Sequence, residues 1–264
     1  MSDTARVIAI ANQKGGVGKT TTTLTLGAAL ALRGQRVLVM DLDPHACASV
    51  HMRFYPEDLE STTYDLFGAE DAAMPAVWEK LIQHHEGQSI DMAPGSIRLA
   101  ELDVDLRNRK GKGALLSHAI SFVADRYDYI LIDCPPHVGI LLANALVACD
   151  LLIIPIQTDF LALHGLKLLF DTLRVLNKVL PKPIDYRALA TMYDKRARAC
   201  MRVLELTRQK MGDRMFDTVI GVDTRFRDAS ALGKVIYELE PRCRGARAYA
   251  DLAQELLEYD AKIA

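Results

Sequence analysis

Val7-Ile8-Ala9-Ile10-Ala11-Asn12-Gln13-Lys14-Gly15-Gly16-Val17-Gly18-Lys19-Thr20-Thr21 is the stretch that decides the fold. Five apolar residues without alternation read as a strand buried on both faces. The glycines then let the backbone turn tightly, so that successive N–H groups converge on phosphate oxygens. A helix expected over Thr20–Arg33 adds the positive end of its dipole. Between strand and helix, Lys19 would reach the β- and γ-phosphates of a nucleotide and the Thr20 hydroxyl would ligate Mg²⁺. Gly15, Gly16, Val17, Gly18 and Thr21 complete the cradle. A Gly-rich turn without any ligand is the bland alternative, and the Gly18-Lys19-Thr20 run argues against it.

The rest of the chain repeats the same alternation. Arg36–Met40, Tyr129–Ile132 and Leu151–Ile154 read as further buried strands, with weaker ones at Ile90–Ala93, Ala188–Met192 and Thr218–Val222. Helical stretches are expected at Ala114–Asp125, Gly139–Ala148, Leu163–Val179, Ala197–Met211 and Ala246–Tyr259. Connections this long imply right-handed strand–helix–strand units. The expected class is α/β, a P-loop NTPase with a mostly parallel twisted β-sheet carrying helices on both faces. No linker or repeat divides residues 1–264, which are read as a single domain. Met52 to Glu86 is the least patterned part, a loop-and-helix excursion.

Composition narrows the function classes. Half of the 264 residues are hydrophobic, which excludes a disordered chain. Net charge is −2, so sheer overall positive charge cannot carry nucleic-acid binding. The five cysteines, Cys47, Cys134, Cys149, Cys200 and Cys243, are scattered without a CxxC, as expected of reduced thiols. The N-terminal apolar run is too short for a signal-peptide core. The longest run, Val138 to Cys149, falls short of the roughly 20 residues that a span needs. A soluble cytoplasmic protein is expected.

Two more strands end in carboxylates, where ligands bind in parallel sheets. Val37-Leu38-Val39-Met40-Asp41-Leu42-Asp43-Pro44 supplies Asp41 and Asp43. Tyr129-Ile130-Leu131-Ile132-Asp133-Cys134-Pro135-Pro136 supplies Asp133, which in a Walker B role would hold Mg²⁺ through water. Asp41 has an alternative in capping the turn that follows it. Cys134 lacks a second cysteine at ligand spacing and reads as a buried thiol.

The loop is not a standard Walker A, because Gln13 stands where Gly is required and Lys14 follows it. Lys14-Gly15-Gly16-Val17-Gly18-Lys19-Thr20 resembles the deviant Walker A of the ParA/MinD ATPases, a group that includes the nitrogenase iron protein. Family-like blocks recur almost to the C-terminus. The resemblance implies ATP and Mg²⁺ as cofactors and a homodimer with ATP sandwiched between the subunits. It makes Lys14 the signature lysine that reaches the partner's phosphates, and supplying that cation in trans would tie charge neutralisation to dimerisation. It also assigns Asp43 to the attacking water, puts Asp41 near the Mg²⁺ shell, and implies Met192, Val222 and Asp223 as nucleotide-binding positions on the adenine side. His45 stands where many relatives have Gln and reads as a neutral bystander or a switch contact. Asp43-Pro44-His45, the Thr158–Leu163 stretch and the Val222–Ser230 stretch look closest to orphan ParA proteins encoded with chemotaxis genes, the ParC type.

Charge is unevenly divided. Residues 1–186 carry net −5, residues 187–247 net +6, and residues 248–264 net −3. The basic segment lacks aromatic interleaving and a helix-turn-helix signature, so what it could bind is duplex backbone, nonspecifically and salt-sensitively. An ordinary solvated surface is the alternative. The DNA-contact candidates are Arg196, Arg198, Arg225, Arg227, Lys234 and Arg247; Gly221-Val222-Asp223 replaces the family's usual Pro-Arg-Asn, which removes one more. The expected protein is thus a nucleoid-associated positioning ATPase whose hydrolysis a protein partner stimulates, with a chemotaxis array as favoured cargo and a chromosome, plasmid or other assembly next. A MinD-like membrane ATPase would need a basic amphipathic C-terminal helix, and the tail is acidic. An iron–sulfur reductase would need cluster-ligating cysteines, and the spacing does not supply them.

Overall fold

The computed structural model describes residues 4–84, 89–159 and 166–263. Seven strands form one sheet: β1 (Arg6–Ile10), β2 (Val37–Asp41), β3 (Asp91–Ala93), β4 (Tyr129–Asp133), β5 (Leu151–Gln157), β6 (Tyr186–Tyr193) and β7 (Met215–Gly221). Their order is β3-β2-β4-β1-β5-β6-β7. Every pairing within it is parallel; one antiparallel bridge, Gln83 with Met92, lies at its edge.

Eleven α-helical segments are present among the described residues. They are α1 (Lys19–Ala31), α2 (Cys47–His51), α3 (Met74–Leu81), α4 (Leu102–Asp105), α5 (Leu115–Ile120), α6 (Ile140–Ala148), α7 (Leu166–Leu176), α8 (Arg198–Met211), α9 (Arg225–Ala231), α10 (Ile236–Leu239) and α11 (Arg244–Ile263). Alternate residues of β1 feed two separate cores. Ile8 and Ile10 pack with Leu24 and Leu30 of α1 and with Leu252 and Leu256 of α11. Val7 and Ala9 share the opposite core with Leu116 of α5, Leu142 of α6 and Leu169 of α7. A strand covered on both faces has no polar side to show, which is why its sequence does not alternate. The step from β1 to β2 runs toward one edge with α1 on one face. The steps from β4 through β6 run the other way with α6 and α7 on the other face, as right-handed crossovers require.

The differences from expectation have local causes. β5 continues three residues past Ile154, through Pro155, which pairs in register with Leu189. β1 pairs with β5 only as far as Ile153, so the missing N–H of Pro155 falls where β1 has already turned away. The Pro155 carbonyl instead accepts the Asn12 side-chain amide at 2.6 Å. α7 ends at Leu176 rather than Val179, and residues 163–165 of that expected helix lie outside the described residues. The unpatterned stretch holds two 3₁₀ turns and α3, whose Trp78 is buried and donates to the Ala119 carbonyl at 2.9 Å.

The acidic tail is longer than expected and is built into the fold. Tyr249, Leu252, Ala253 and Leu256 of α11 are buried. Glu255 accepts the backbone N–H groups of Asp217 and Thr218 at 2.7 and 3.0 Å, at the start of β7. Asp260 accepts Arg6 Nε at 3.2 Å and the Tyr129 hydroxyl at 3.0 Å, at the starts of β1 and β4. Leu252→Ala should therefore cost about 2–4 kcal/mol of unfolding free energy in a denaturant titration, the range for truncating a fully packed leucine.

Candidate active site

The phosphate loop leaves β1 and closes on α1. Gly16 and Gly18 have φ of +74° and +92°, a conformation that side chains with a Cβ resist. Gly18 caps α1, whose first turn carries no acidic residue and no side-chain cap. Its leading N–H groups therefore remain for an external anion. Lys19 and Thr20 sit in that turn, and Lys19 is buried.

Asp133 ends β4 in register with Ile10 of β1 and Asp41 of β2. Its two oxygens accept Thr20 Oγ1 at 2.7 Å and Thr23 Oγ1 at 3.3 Å. Burial, together with the adjacent Asp41, pushes the Asp133 carboxyl above the usual carboxylate range. Burial likewise raises Asp41, against the bonds from Ser49 and Asp43 that lower it. Buried carboxyls facing hydroxyls offer the oxygen donors that suit a hard divalent cation, whose charge would favour their ionised form. Thr20 and Asp133 meet directly. Asp41 lies beside them with its carboxylate already engaged: Oδ1 accepts the Asp43 N–H at 3.1 Å, and Oδ2 accepts Ser49 N–H and Oγ at 2.8 and 2.7 Å. The turn-capping alternative thus describes how Asp41 is held.

That hold depends on a close backbone approach. Gly95 N–H donates to Ser49 Oγ at 2.9 Å, and a Cβ on Gly95 would lie 2.8 Å from the Asp41 carbonyl oxygen. Backbone cannot yield cheaply, so Gly95→Ala should destabilise the fold by about 1–3 kcal/mol in a thermal melt.

Asp43 follows at the rim, nearly buried, and its Oδ1 accepts both the His45 N–H at 3.0 Å and a hydrogen bond with His45 Nδ1 at 2.9 Å. Lys14 donates its N–H to Asn12 Oδ1 at 2.9 Å and its ammonium is paired with Asp159, just past β5, in the same chain. Gln13 Nε2 and Asp159 Oδ1, on either side of that lysine, are buried without a partner among the described residues.

A cavity of about 770 Å³ opens from the loop. Val17, Gly18, Thr20 and Thr21 line one end, and Met192, Val222 and Asp223 line it with them, so the structure brings these expected nucleotide positions together. Met192 is left-handed, with φ +52°. The Asp223 carboxylate is turned toward α11 and α9, accepting Gly245 N–H at 3.1 Å and Arg225 N–H at 3.2 Å. Phe226 and Tyr249 also line the cavity and meet edge-on, with ring centroids 5.7 Å apart. The Tyr249 hydroxyl hydrogen-bonds Thr22 at 2.8 Å. Neither aromatic carries a local sequence signal, because each reaches the site through tertiary packing.

The six basic candidates do not form one uniform group. Arg196 is exposed and bound bidentately by Asp194, whose carboxyl it lowers to about 2. Arg225 is paired with Asp223 at 3.3 Å, and Arg227 lines the nucleotide-sized cavity. Arg198, Lys234 and Arg247 are exposed and carry no ion pair among the described residues. The loop bearing Lys234 is fastened to α2: His51 Nε2 bonds the Lys234 carbonyl at 2.9 Å, and Arg53 Nε donates to the Leu232 carbonyl at 3.2 Å.

Known proteins share this arrangement of chain. Residues 5–185 match the family model described as an AAA domain. Over 95% of its length the chain is 38% identical to the sporulation initiation inhibitor protein Soj of Bacillus subtilis, 98% of which is covered. It is 35% identical to the chromosome partitioning protein ParA of Caulobacter vibrioides, over 96% of this chain and 94% of the relative. Cobyrinic acid a,c-diamide synthase from Mycobacterium smegmatis, solved with bound ADP and magnesium, superposes with a TM-score of 0.78 at 30% identity, covering 98% of this chain and 97% of that one.

Proposed function

The chain belongs to the ParA/MinD family of P-loop ATPases, and from that premise we propose that it is an ATP-driven dimerisation switch that binds DNA nonspecifically and positions or partitions a cargo. One observation carries the reading: Gly18, Thr20 and Thr21 of the phosphate loop line a single nucleotide-sized cavity with Met192, Val222 and Asp223, while Thr20 is bonded to Asp133 and His45, also at the cavity wall, to Asp43.

Each residue then has a task. The loop N–H groups and Lys19 hold the β- and γ-phosphates. Thr20 and Asp133 would hold Mg²⁺, which when bound neutralises phosphate charge. Met192, Val222 and Asp223 bound the base-side end of the cavity. Asp43 orients the attacking water. Lys14 exchanges Asp159 for the phosphates of a second copy, so that hydrolysis waits on dimerisation. Phosphoryl transfer to water is then governed by positioning and charge neutralisation.

The net +6 of residues 187–247 supports a DNA-facing surface, and among the six candidates Arg198, Lys234 and Arg247 are exposed without an ion pair among the described residues and lie outside the cavity lining. On this reading the protein works in the cytoplasm on the nucleoid, and a protein partner stimulates hydrolysis and links the switch to its cargo. Asp43-Pro44-His45 favours a chemotaxis array, ahead of a chromosome, plasmid or other protein assembly. A membrane-bound role draws no support from α11, whose apolar face is already buried. Among the described residues no helix is long and apolar enough to cross a membrane.

The test is duplex binding with ATP, with ADP and without nucleotide, repeated across salt concentrations. Binding that needs ATP and falls steeply with salt is expected. Binding indifferent to nucleotide would overturn the switch.

A further inference from the structure

We propose that His45 is a positioning residue for Asp43: its imidazole determines which carboxylate oxygen is left to take the attacking water. The proposal rests on the ATPase reading and adds a residue for which that reading has no task.

The geometry is specific. His45 lies two residues past Asp43, across Pro44, and it sends two bonds to one atom. Its backbone N–H meets Asp43 Oδ1 at 3.0 Å and its ring Nδ1 meets the same oxygen at 2.9 Å. The backbone bond closes an Asx turn that any residue other than proline at position 45 could close. The ring bond is extra. Packing does not explain it, because the His45 side chain is 68% exposed whereas that of Asp43 is 12% exposed. The ring stands at the wall of the cavity with Gly18, Thr20 and Cys47.

The chemistry follows from counting lone pairs. An ionised carboxylate offers about four acceptor sites, two on each oxygen. Both sites of Oδ1 are taken by His45, leaving Oδ2 for a water. To donate from Nδ1, a neutral imidazole must carry its proton there, with Nε2 left as an acceptor. A carboxylate held by the backbone bond alone can swing and present either oxygen. Held by two bonds, it presents one oxygen in one direction, and orientation of this kind is what a water-positioning residue contributes to turnover.

Steady-state ATP hydrolysis by the wild type and by His45→Ala, His45→Asn, His45→Gln, Asp43→Ala and the Asp43→Ala/His45→Ala double variant tests this. His45→Ala should lower kcat about tenfold, the scale of one hydrogen bond to a charged group, with KM for ATP unchanged within about twofold. Asn puts its amide nitrogen where Nδ1 lies and should recover most of the rate. Gln reaches out to the Nε2 position and should stay near the Ala value. The double variant should be no slower than Asp43→Ala. The proposal is overturned by a wild-type kcat in His45→Ala, by a loss confined to KM, by Gln restoring the rate as fully as Asn, or by a further drop in the double variant. Asp43→Ala separates the two levels: if it turns over at the wild-type rate, the role of Asp43 fails and the proposal falls with it, whereas an inert Asp43→Ala beside an unaffected His45→Ala removes His45 alone.

Discussion

Lys14→Ala is expected to lose ATP hydrolysis by about a thousandfold or more, because a cation supplied in trans to a transferring phosphoryl group contributes about 10³–10⁵ in rate. The variant should fold normally. The Lys14 side chain is 31% exposed, and its pair with Asp159 is of the partly solvated kind that contributes about 0–1 kcal/mol. Fold and catalysis therefore separate cleanly at this residue. Steady-state hydrolysis, with size-exclusion chromatography in ATP, checks both halves. A Lys14→Ala protein that hydrolyses and dimerises like the wild type would remove the trans role. Lys19→Ala is the contrasting control, since Lys19 is buried within the cradle and its loss should abolish nucleotide binding itself.

Asp43→Ala should do the reverse of Lys19→Ala. ATP binding and the ATP-dependent dimer should persist, while turnover falls by about 10²–10⁴, the span for removing a group that orients or activates the nucleophile. Its carboxylate is bonded within its own loop only to His45, so little else in the fold leans on it. Asp41 differs, with both oxygens tied to Asp43 and Ser49 and its carbonyl accepting Thr63 Oγ1 at 2.8 Å. Normal hydrolysis by Asp43→Ala would sink the water-positioning role. Accumulation of the ATP-bound dimer, seen as a larger species that outlasts its wild-type counterpart, is the expected signature.

Much of this molecule can be read along the chain, and the legible parts have one cause. Strands buried on both faces leave continuous apolar runs, and the two that end in aspartate, β2 and β4, announce their own functional edge. Pro155 lies inside β5 because proline ends a strand only where its neighbour needs the missing N–H, and β1 has already departed there. The short helices α2, α9 and α10 escaped because four to seven residues hold too few turns to show a period. The aromatic wall of Phe226 and Tyr249 was invisible for a different reason, since it exists only once α9 and α11 fold back over the sheet. The basic residues form the intermediate case. Their excess was countable, but which were already neutralised by Asp194 or Asp223 required coordinates.

The strand order also governs when the protein can acquire its function during synthesis. β1 lies between β4 and β5, and β2 between β3 and β4. Val7 pairs with Ile130, and Ile8 with Leu151. A growing chain therefore carries its phosphate loop on a strand with no neighbour until β4, about 120 residues later, has left the ribosome. Until then the apolar run of β1 lacks both its neighbours and β2 has only β3, the condition in which long-range parallel pairing is slow and association with other chains competes with it. The nucleotide site comes last in order of assembly although its loop comes first in sequence, and chains interrupted before β5 should be substrates for chaperones rather than for ATP.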